Sequence, residues 1–289
     1  MTWKPAMRSS AACALRRVHR GAFTLVEMLV VIAIIGVVAA MTVPALNNMK
    51  KADAAAAATR QLLDDVARAR QFAISQRSTV YMVFVPRNFW DDGGNQPNAT
   101  AYGALTATEK SNAVHLLDKQ LIGYNFVSLR EVGEQPGQSH PKYLGEWRTL
   151  PEGTFIPEYK FVQRNIGVTT VDIVDSSGGT SLDHYVNGFA VTNVIPFPTV
   201  TALPSSSGYV WLPFLAFNHL GQLLSDLDEE VIPLARGRVS PSLDVNKKSL
   251  YAPPTLEEIP PGNSTSSAYN LIYVDRLTGR ARVERQQAQ

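Results

Sequence analysis

The chain has 289 residues, of which 45% are hydrophobic and 18% are charged, and its formal charge is +2. Positions 1–22 contain five basic residues and no acidic one, so the remainder has 22 basic against 25 acidic side chains. This balance predicts no basic face on the folded part and argues against a nucleic-acid partner. The single cysteine, Cys13, lies in the same basic leader, so this sequence offers no disulfide and no thiolate metal site elsewhere.

An apolar run follows the basic leader, with one acid, Glu27, almost at its start. Met28–Leu46 is a stretch of 19 uncharged residues. It would form about 28 Å of helix, close to the roughly 30 Å hydrocarbon core of a bilayer. Because the arginines precede this run, we expect the leader to stay cytoplasmic and the rest to be exported. Three interpretations compete: a secretory signal cleaved near Ala39 or Ala40, a permanent single-pass anchor, and a leader cleaved before the run.

The residues AFTLVEMLVVIAIIGVVAAMTVP, positions 22–44, resemble the class III leader of type IV pilins and their relatives. In that family a small residue precedes Phe-Thr-Leu-x-Glu and an apolar helix; here Ala22 stands where the family usually has glycine. The resemblance implies cleavage between Ala22 and Phe23 by prepilin peptidase and N-methylation of Phe23. Glu27 then becomes the fifth residue of the mature chain and the expected assembly residue. Pro44 becomes the twenty-second, where many pilins have a helix-bending proline.

The helix is expected to continue beyond the apolar run to Arg77. Pro44 has no backbone N–H, so a bend is predicted there. Further on, apolar residues recur at three- and four-residue spacing and define one face: Leu62, Leu63, Val66, Ala69 and Ala73. The charged residues Asp64, Asp65, Arg68 and Arg70 are expected largely off this face. The pattern predicts an amphipathic helix packed on its own domain.

From Ser78 the sequence changes to strand and turn patterns. Strands are predicted within Ser78–Pro86, Gly123–Val132, Phe161–Asp175, His184–Phe197, Tyr209–Leu224, Glu229–Ser240 and Asn270–Gln286. A short helix is predicted within Thr106–Leu121, and loops at Arg87–Thr100, Glu134–Trp147 and Ala252–Ser267. The expected fold class is α+β and pilin-like. Its parts are a leader (1–22), a transmembrane helix half (23–46), an amphipathic half (47–77) and a mostly antiparallel β head (78–289).

Four passages resemble the H-type minor pseudopilins of type II secretion: LLDDVARARQFAISQRSTVYMVF, which runs from the helix into the first strand, and WRTLPEGTFI, FLAFNHLGQL and NLIYVDRLTGRARV of the head. The resemblance implies a pseudopilus subunit that crosses the inner membrane once and has a periplasmic head. The implied partners are other pilin or pseudopilin subunits through the N-terminal helix, prepilin peptidase and the inner membrane. Two alternatives stay open. One is a minor pilin of a type IV pilus for adhesion, motility or DNA uptake, and the other is a membrane-anchored periplasmic enzyme or binding module.

Catalytic motifs are missing from the sequence. There is no Gly-x-Ser-x-Gly elbow, phosphate-binding glycine loop or His-Glu-x-x-His pair. The histidines outside the leader are scattered singly, and His219 is expected in a β-turn. Asp183 and His184 are neighbours in a predicted strand and would point to opposite faces. We therefore expect no enzymatic activity and no cofactor.

Two acidic clusters are the candidates for a calcium ion, a cation that takes about six to eight oxygen ligands. WDDGGN contributes Asp91, Asp92 and Asn95, and SDLDEE contributes Asp226, Asp228, Glu229 and Glu230. Neither cluster has the regular ligand spacing of an EF-hand. Solvated loops, without a metal, are therefore the default expectation for both.

Overall fold

The structure, a computed structural model, describes residues 24–91, 98–130, 133, 141–162, 168–174, 181–192, 195, 210–265 and 270–285. Only the backbone is described for residues 41–53, 98, 168–174, 181–185, 270, 284 and 285. The chain divides into two compact units, Met1–Asn48 and Met49–Gln289.

The helices are α1 (Leu25–Gln76), α2 (Asn98–Gly103) and α3 (Ala107–Ala113), with 3₁₀ turns at Val114–Leu116 and Glu158–Phe161. The predicted N-terminal helix is confirmed, and its backbone is helical through Pro44. The bend at Pro44 stays a prediction. Among the described residues, no helix combines the length and the apolar character needed to cross a membrane.

The strands, in chain order, are β1 (Val80–Phe84), β2 (Gly123–Ser128), β3 (Lys142–Tyr143), β4 (Arg148–Thr149), β5 (Thr154–Phe155), β6 (Val168–Val174), β7 (Ser181–Asn187), β8 (Ala190–Thr192), β9 (Leu212–Phe217), β10 (Glu229–Ser240), β11 (Thr255–Glu258), β12 (Asn270–Asp275) and β13 (Ala281–Arg285). The first sheet has the order β3-β2-β1-β9-β8, and β4 also pairs with β2. The second has the order β11-β10-β12-β13, and β5 pairs with β10; β6 and β7 form a hairpin. Each of these pairs is antiparallel, which confirms the α+β fold class.

One face of α1 forms the centre of the core in the second unit. Ala58, Leu62, Val66, Ala69 and Ala73 are fully buried, and the partly buried Leu63 packs against the same cluster. Their partners come from both large sheets: Met82, Phe84, Tyr124, Phe126, Leu215, Phe217, Ile232, Leu234, Ile272 and Val274. The predicted apolar face is therefore confirmed, and both sheets pack on it.

The opposite face of the first sheet is covered by the short helices. Val83, Val127 and Leu212 pack with Ala113 and Leu117, which lie in α3 and just after the following 3₁₀ turn. Thr106 caps α3, since its hydroxyl accepts from the Glu109 N–H while the Glu109 carboxylate accepts from the Thr106 N–H. This sheet is thus buried on both faces, which accounts for the burial of every residue of β2.

Two turns close over the C-terminal end of α1. Arg70 Nε donates to the Thr278 carbonyl over 2.8 Å. Gly221 has a φ of +79°, and a Cβ there would lie 2.8 Å from Ile74 Cδ1. A Cβ on Gly279 would lie 2.0 Å from the Gly221 carbonyl, so both turns need glycine where they meet.

Asp65 was expected off the apolar face, and this expectation was wrong. The residue is only 3% exposed. Tyr124 Oη donates to Asp65 Oδ2 over 2.5 Å, and Arg148 Nη1 lies 3.2 Å from Asp65 Oδ1. Gln61 Nε2 in turn donates to Tyr124 Oη over 2.7 Å. Burial raises the pKa of Asp65, while the Tyr124 hydrogen bond and the Arg148 charge act to lower it.

The predicted loops hold more structure than their composition indicates. The proline-rich stretch Ala252–Ser267 contains β11, which pairs with the second half of β10. The stretch Glu134–Trp147 contains β3, and α2 begins within Arg87–Thr100. These elements depend on backbone hydrogen bonds to a distant strand or on tertiary packing, which local propensity does not report.

Asp65→Asn is expected to remove a pH dependence of stability. Because its folded pKa is raised, Asp65 holds a proton in the folded state at pH values where the unfolded chain has lost it. Its contribution to the free energy of unfolding is therefore present below the unfolded pKa of about 4 and is lost as pH rises through the higher folded pKa. Denaturant unfolding of the full chain in detergent should show the wild type losing stability relative to Asp65→Asn over this range. The exposed Glu146→Gln is the matched control, and equal pH profiles for the two variants would contradict the assignment.

Candidate assembly interface

The first part of α1 exposes apolar side chains around its whole circumference. Between Leu25 and Val38 the large hydrophobic residues range from 43% exposed, at Val31, to 82%, at Leu25. Successive helix positions are about 100° apart, so these neighbouring positions cover every face. A helix that is apolar all round is normally buried in an assembly or a membrane, and exposed apolar patches of this extent mark interaction sites. This segment, Leu25–Ala40, is named the apolar helix surface.

The polar groups at the start of α1 satisfy one another. Since α1 begins at Leu25, Thr24 is the N-cap and Glu27 is the third helical residue. The Thr24 N–H and Oγ1 each donate to Glu27 Oε2 over 3.2 Å, and the Glu27 N–H donates to Thr24 Oγ1 over 3.2 Å. This arrangement is a capping box. Our sequence interpretation missed the role of Thr24, although Thr-x-x-Glu before an apolar run is a recognisable signal for it.

The predicted site residues are described to different extents. Glu27 lies in the first turn of α1 with an exposed carboxylate. Pro44 lies within α1 and is described by its backbone alone. Ala22 and Phe23 lie outside the described residues, so cleavage and methylation stay predictions. The helix bend at Pro44 also stays a prediction.

The acidic residues at the start of β10 diverge towards different basic partners. Asp226 and Asp228 are exposed, and Asp228 Oδ1 lies 3.5 Å from Arg276 Nη2. The next acid, Glu229, forms an ion pair with Arg282, whose Nη2 donates to Glu229 Oε2 over 3.0 Å. At the other candidate cluster, Asp91 is exposed and Asp92 is outside the described residues. Within the described part of the chain, no three acidic, histidine or cysteine side chains gather as metal ligands would.

Glu230 was a calcium candidate, but its carboxylate is buried in an ion pair that the sequence did not reveal. Lys160 Nζ donates to Glu230 Oε1 over 2.5 Å, and both side chains are about 1% exposed. Lys160 Nζ also donates to the Asn187 carbonyl over 2.7 Å and lies 4.5 Å from the centre of the Phe189 ring. Removing one partner of such a pair leaves a buried charge and costs about 3–5 kcal/mol. The pair therefore ties the 3₁₀ turn Glu158–Phe161 to β10.

The histidines show no catalytic arrangement in the described regions. His219 lies exposed in the turn that follows β9, as predicted. The Asn218 side chain organises this turn by accepting from the Leu220 and Gln222 N–H groups over 2.9 and 3.0 Å. Asp183 and His184 lie in β7, where only the backbone is described.

Residues 17–43 match the prokaryotic N-terminal methylation motif. The match contains the capping box and overlaps the apolar helix surface. It supports a type IV pilin-like protein, and it implies processing by prepilin peptidase and assembly with other pilin subunits. No curated protein and no solved structure matches the chain.

Thr24→Val is expected to loosen the first turn of α1. Valine has a similar shape but cannot accept the Glu27 N–H, and loss of an N-cap costs about 1 kcal/mol. Hydrogen exchange of the Glu27 amide should therefore become about fivefold faster in the full chain in detergent. Thr24→Ser retains the hydroxyl and is expected to exchange like the wild type. Unchanged exchange in the valine variant would show that the capping box contributes nothing.

Proposed function

We propose that this chain is a non-enzymatic minor pseudopilin of the H type, a structural subunit of a type II secretion pseudopilus. The observation that carries the proposal is the apolar helix surface lying within a methylation motif. Such a surface is stable only when covered. The inner membrane covers it before assembly, and the helices of neighbouring subunits cover it afterwards.

In this proposal, prepilin peptidase cleaves between Ala22 and Phe23, and the new N-terminal amine is methylated. The chain crosses the inner membrane once, through residues 23–46, and the head is periplasmic. Cleavage before the apolar run retains the helix in the mature protein, whereas a secretory signal would lose it. The H-type assignment rests on the resemblance of the four passages quoted above, since the methylation motif is common to pilins and pseudopilins.

Glu27 is proposed to select and position the incoming subunit. Phe23 and Glu27 are four residues apart, about 6 Å along a helix. A neighbour displaced along the filament can therefore place its Phe23 amine, mostly cationic at neutral pH, beside this carboxylate. Methylation preserves the charge of the amine. In a low-dielectric environment this pairing is strong and removes two isolated charges together.

The proposed system is tested by deleting the gene and complementing it with the intact chain. A type II secretion subunit should, when deleted, leave exported hydrolases in the periplasm while pilus-dependent motility, adhesion and DNA uptake stay normal. Complementation should restore secretion. Normal secretion with a loss of pilus functions would instead indicate a minor pilin. Normal results in both assays would contradict a filament role.

Glu27→Leu is expected to insert and mature normally and yet enter filaments at least tenfold less often. The reason is that leucine leaves the neighbouring amine without its counter-ion. Mass spectrometry should still find a methylated Phe23 at the N-terminus, and sheared-filament fractions report assembly. Glu27→Asp should be partly competent, and Met28→Leu is a matched apolar control. Wild-type assembly of the leucine variant would rule out this role for Glu27.

A further inference from the structure

The second half of β10 forms a small cleft with two arginines. Ile232 and Leu234 lie in the core, and Arg236 and Arg238 continue the same alternation along the strand beyond it. The two arginines line a cleft of about 210 Å³ together with Glu152, Gly153, Gly237 and Ile259. Gly237 is required here, because a Cβ would lie 2.1 Å from the Glu257 carbonyl.

Neither guanidinium group has a hydrogen-bond or ion-pair partner among the described residues. This distinguishes them from Arg87, Arg148 and Arg282 of the same unit, which each contact a carboxylate. One acid, Glu152, also lines the cleft, and Glu257 faces Arg238 across the β10–β11 pair, but neither is in ion-pair contact with the arginines. The lining therefore holds two positive charges and one negative charge, and Glu257 adds a second negative charge beside Arg238.

The shape and charge of the cleft suit a phosphate group. Guanidinium groups match phosphate oxygens in paired, charge-assisted hydrogen bonds. A volume of about 210 Å³ is below the range of pockets for drug-sized molecules, so a small group fits better than a nucleotide.

The position of the cleft indicates where the phosphate comes from. A Cβ on Gly153 would lie 3.7 Å from Cβ of Ala54, the first residue of α1 whose side chain is described in the second unit. The cleft thus lies close to the point where the chain enters this unit. In the sequence, Lys50 and Lys51 immediately precede this point and follow the apolar run that ends at Leu46. Basic residues beside a membrane segment attract anionic lipids.

We propose that Arg236 and Arg238 bind the phosphate of a phospholipid headgroup at the periplasmic surface of the inner membrane. The choice of a lipid over free phosphate rests on the proposed function, because it requires a membrane-anchored chain. The affinity of the cleft for phosphate does not rest on the proposed function. Binding would hold the head against the membrane until the subunit is withdrawn into a filament.

The first experiment titrates inorganic phosphate into the full chain in a neutral detergent and follows binding by calorimetry. Arg236→Gln combined with Arg238→Gln should weaken binding about tenfold or more, because charge-assisted hydrogen bonds are lost. The matched control combines Arg77→Gln with Arg280→Gln. Both arginines lie near the C-terminal end of α1, Arg280 is exposed and adjoins the turn at Gly279, and the net charge changes equally. The control should bind like the wild type.

The second experiment places the full chain in nanodiscs with a photoreactive phosphatidylglycerol and maps cross-links by mass spectrometry. Cross-links at 152–154 or 236–238, lost in the cleft variant and retained in the control, identify the lipid as the source. Phosphate binding without these cross-links overturns the lipid assignment. Either no phosphate binding or equal weakening in both double variants would overturn the site. The detergent titration does not depend on filament function, so it can fail or succeed independently of the secretion assay.

Discussion

The second unit depends on the close contact between one face of α1 and two sheets. Three of the five fully buried residues on this face, Ala58, Ala69 and Ala73, are alanines, which let the helix backbone approach the strands, while Leu62 and Val66 fill the space between. Burying a leucine or valine side chain contributes about 1.5–3 kcal/mol to the free energy of unfolding. The inner faces of both sheets join this one cluster, so without the helix both would expose apolar side chains to water.

Apolar burial alone does not fix how the helix is rotated and positioned, because the hydrophobic effect has no direction. Directional polar contacts fix the rotation and position of the helix at two points along α1. Asp65 meets Tyr124 and Arg148 near the middle of the packed segment, and Arg70 meets the Thr278 carbonyl near its end. Rotating the helix by one position would separate Asp65 from both partners and leave a buried carboxylate unpaired, at a cost of several kcal/mol. Apolar contacts thus stabilise the unit, and polar contacts select one arrangement.

The sequence predicts well those parts of the structure that local periodicity encodes. Three- and four-residue spacing identified the buried face of α1, and β-branched and aromatic runs identified β1, β2 and β9. The sequence predicted poorly the burial and the partners of charged residues whose surroundings are formed by residues far away in the chain. Asp65 is 59 residues from Tyr124, and Lys160 is 70 residues from Glu230. A charged residue with a distant partner looks like any solvated charge in the sequence, and so Asp65 was placed outside the core.

The capping box bears directly on the assembly role that we propose for Glu27. In the single chain its carboxylate accepts two hydrogen bonds from Thr24, both 3.2 Å long and thus at the upper end of the usual range. These bonds can give way, because a neighbour's ammonium group would bring a full positive charge to the carboxylate, whereas the two Thr24 donors are neutral dipoles. They nevertheless satisfy the carboxylate in part, so the proposed membrane-inserted subunit would not hold a bare charge. In the proposed assembly pathway, Thr24 therefore stabilises the unassembled subunit. Replacing its hydrogen bonds to Glu27 by a pairing with the neighbour's amine would still be favourable.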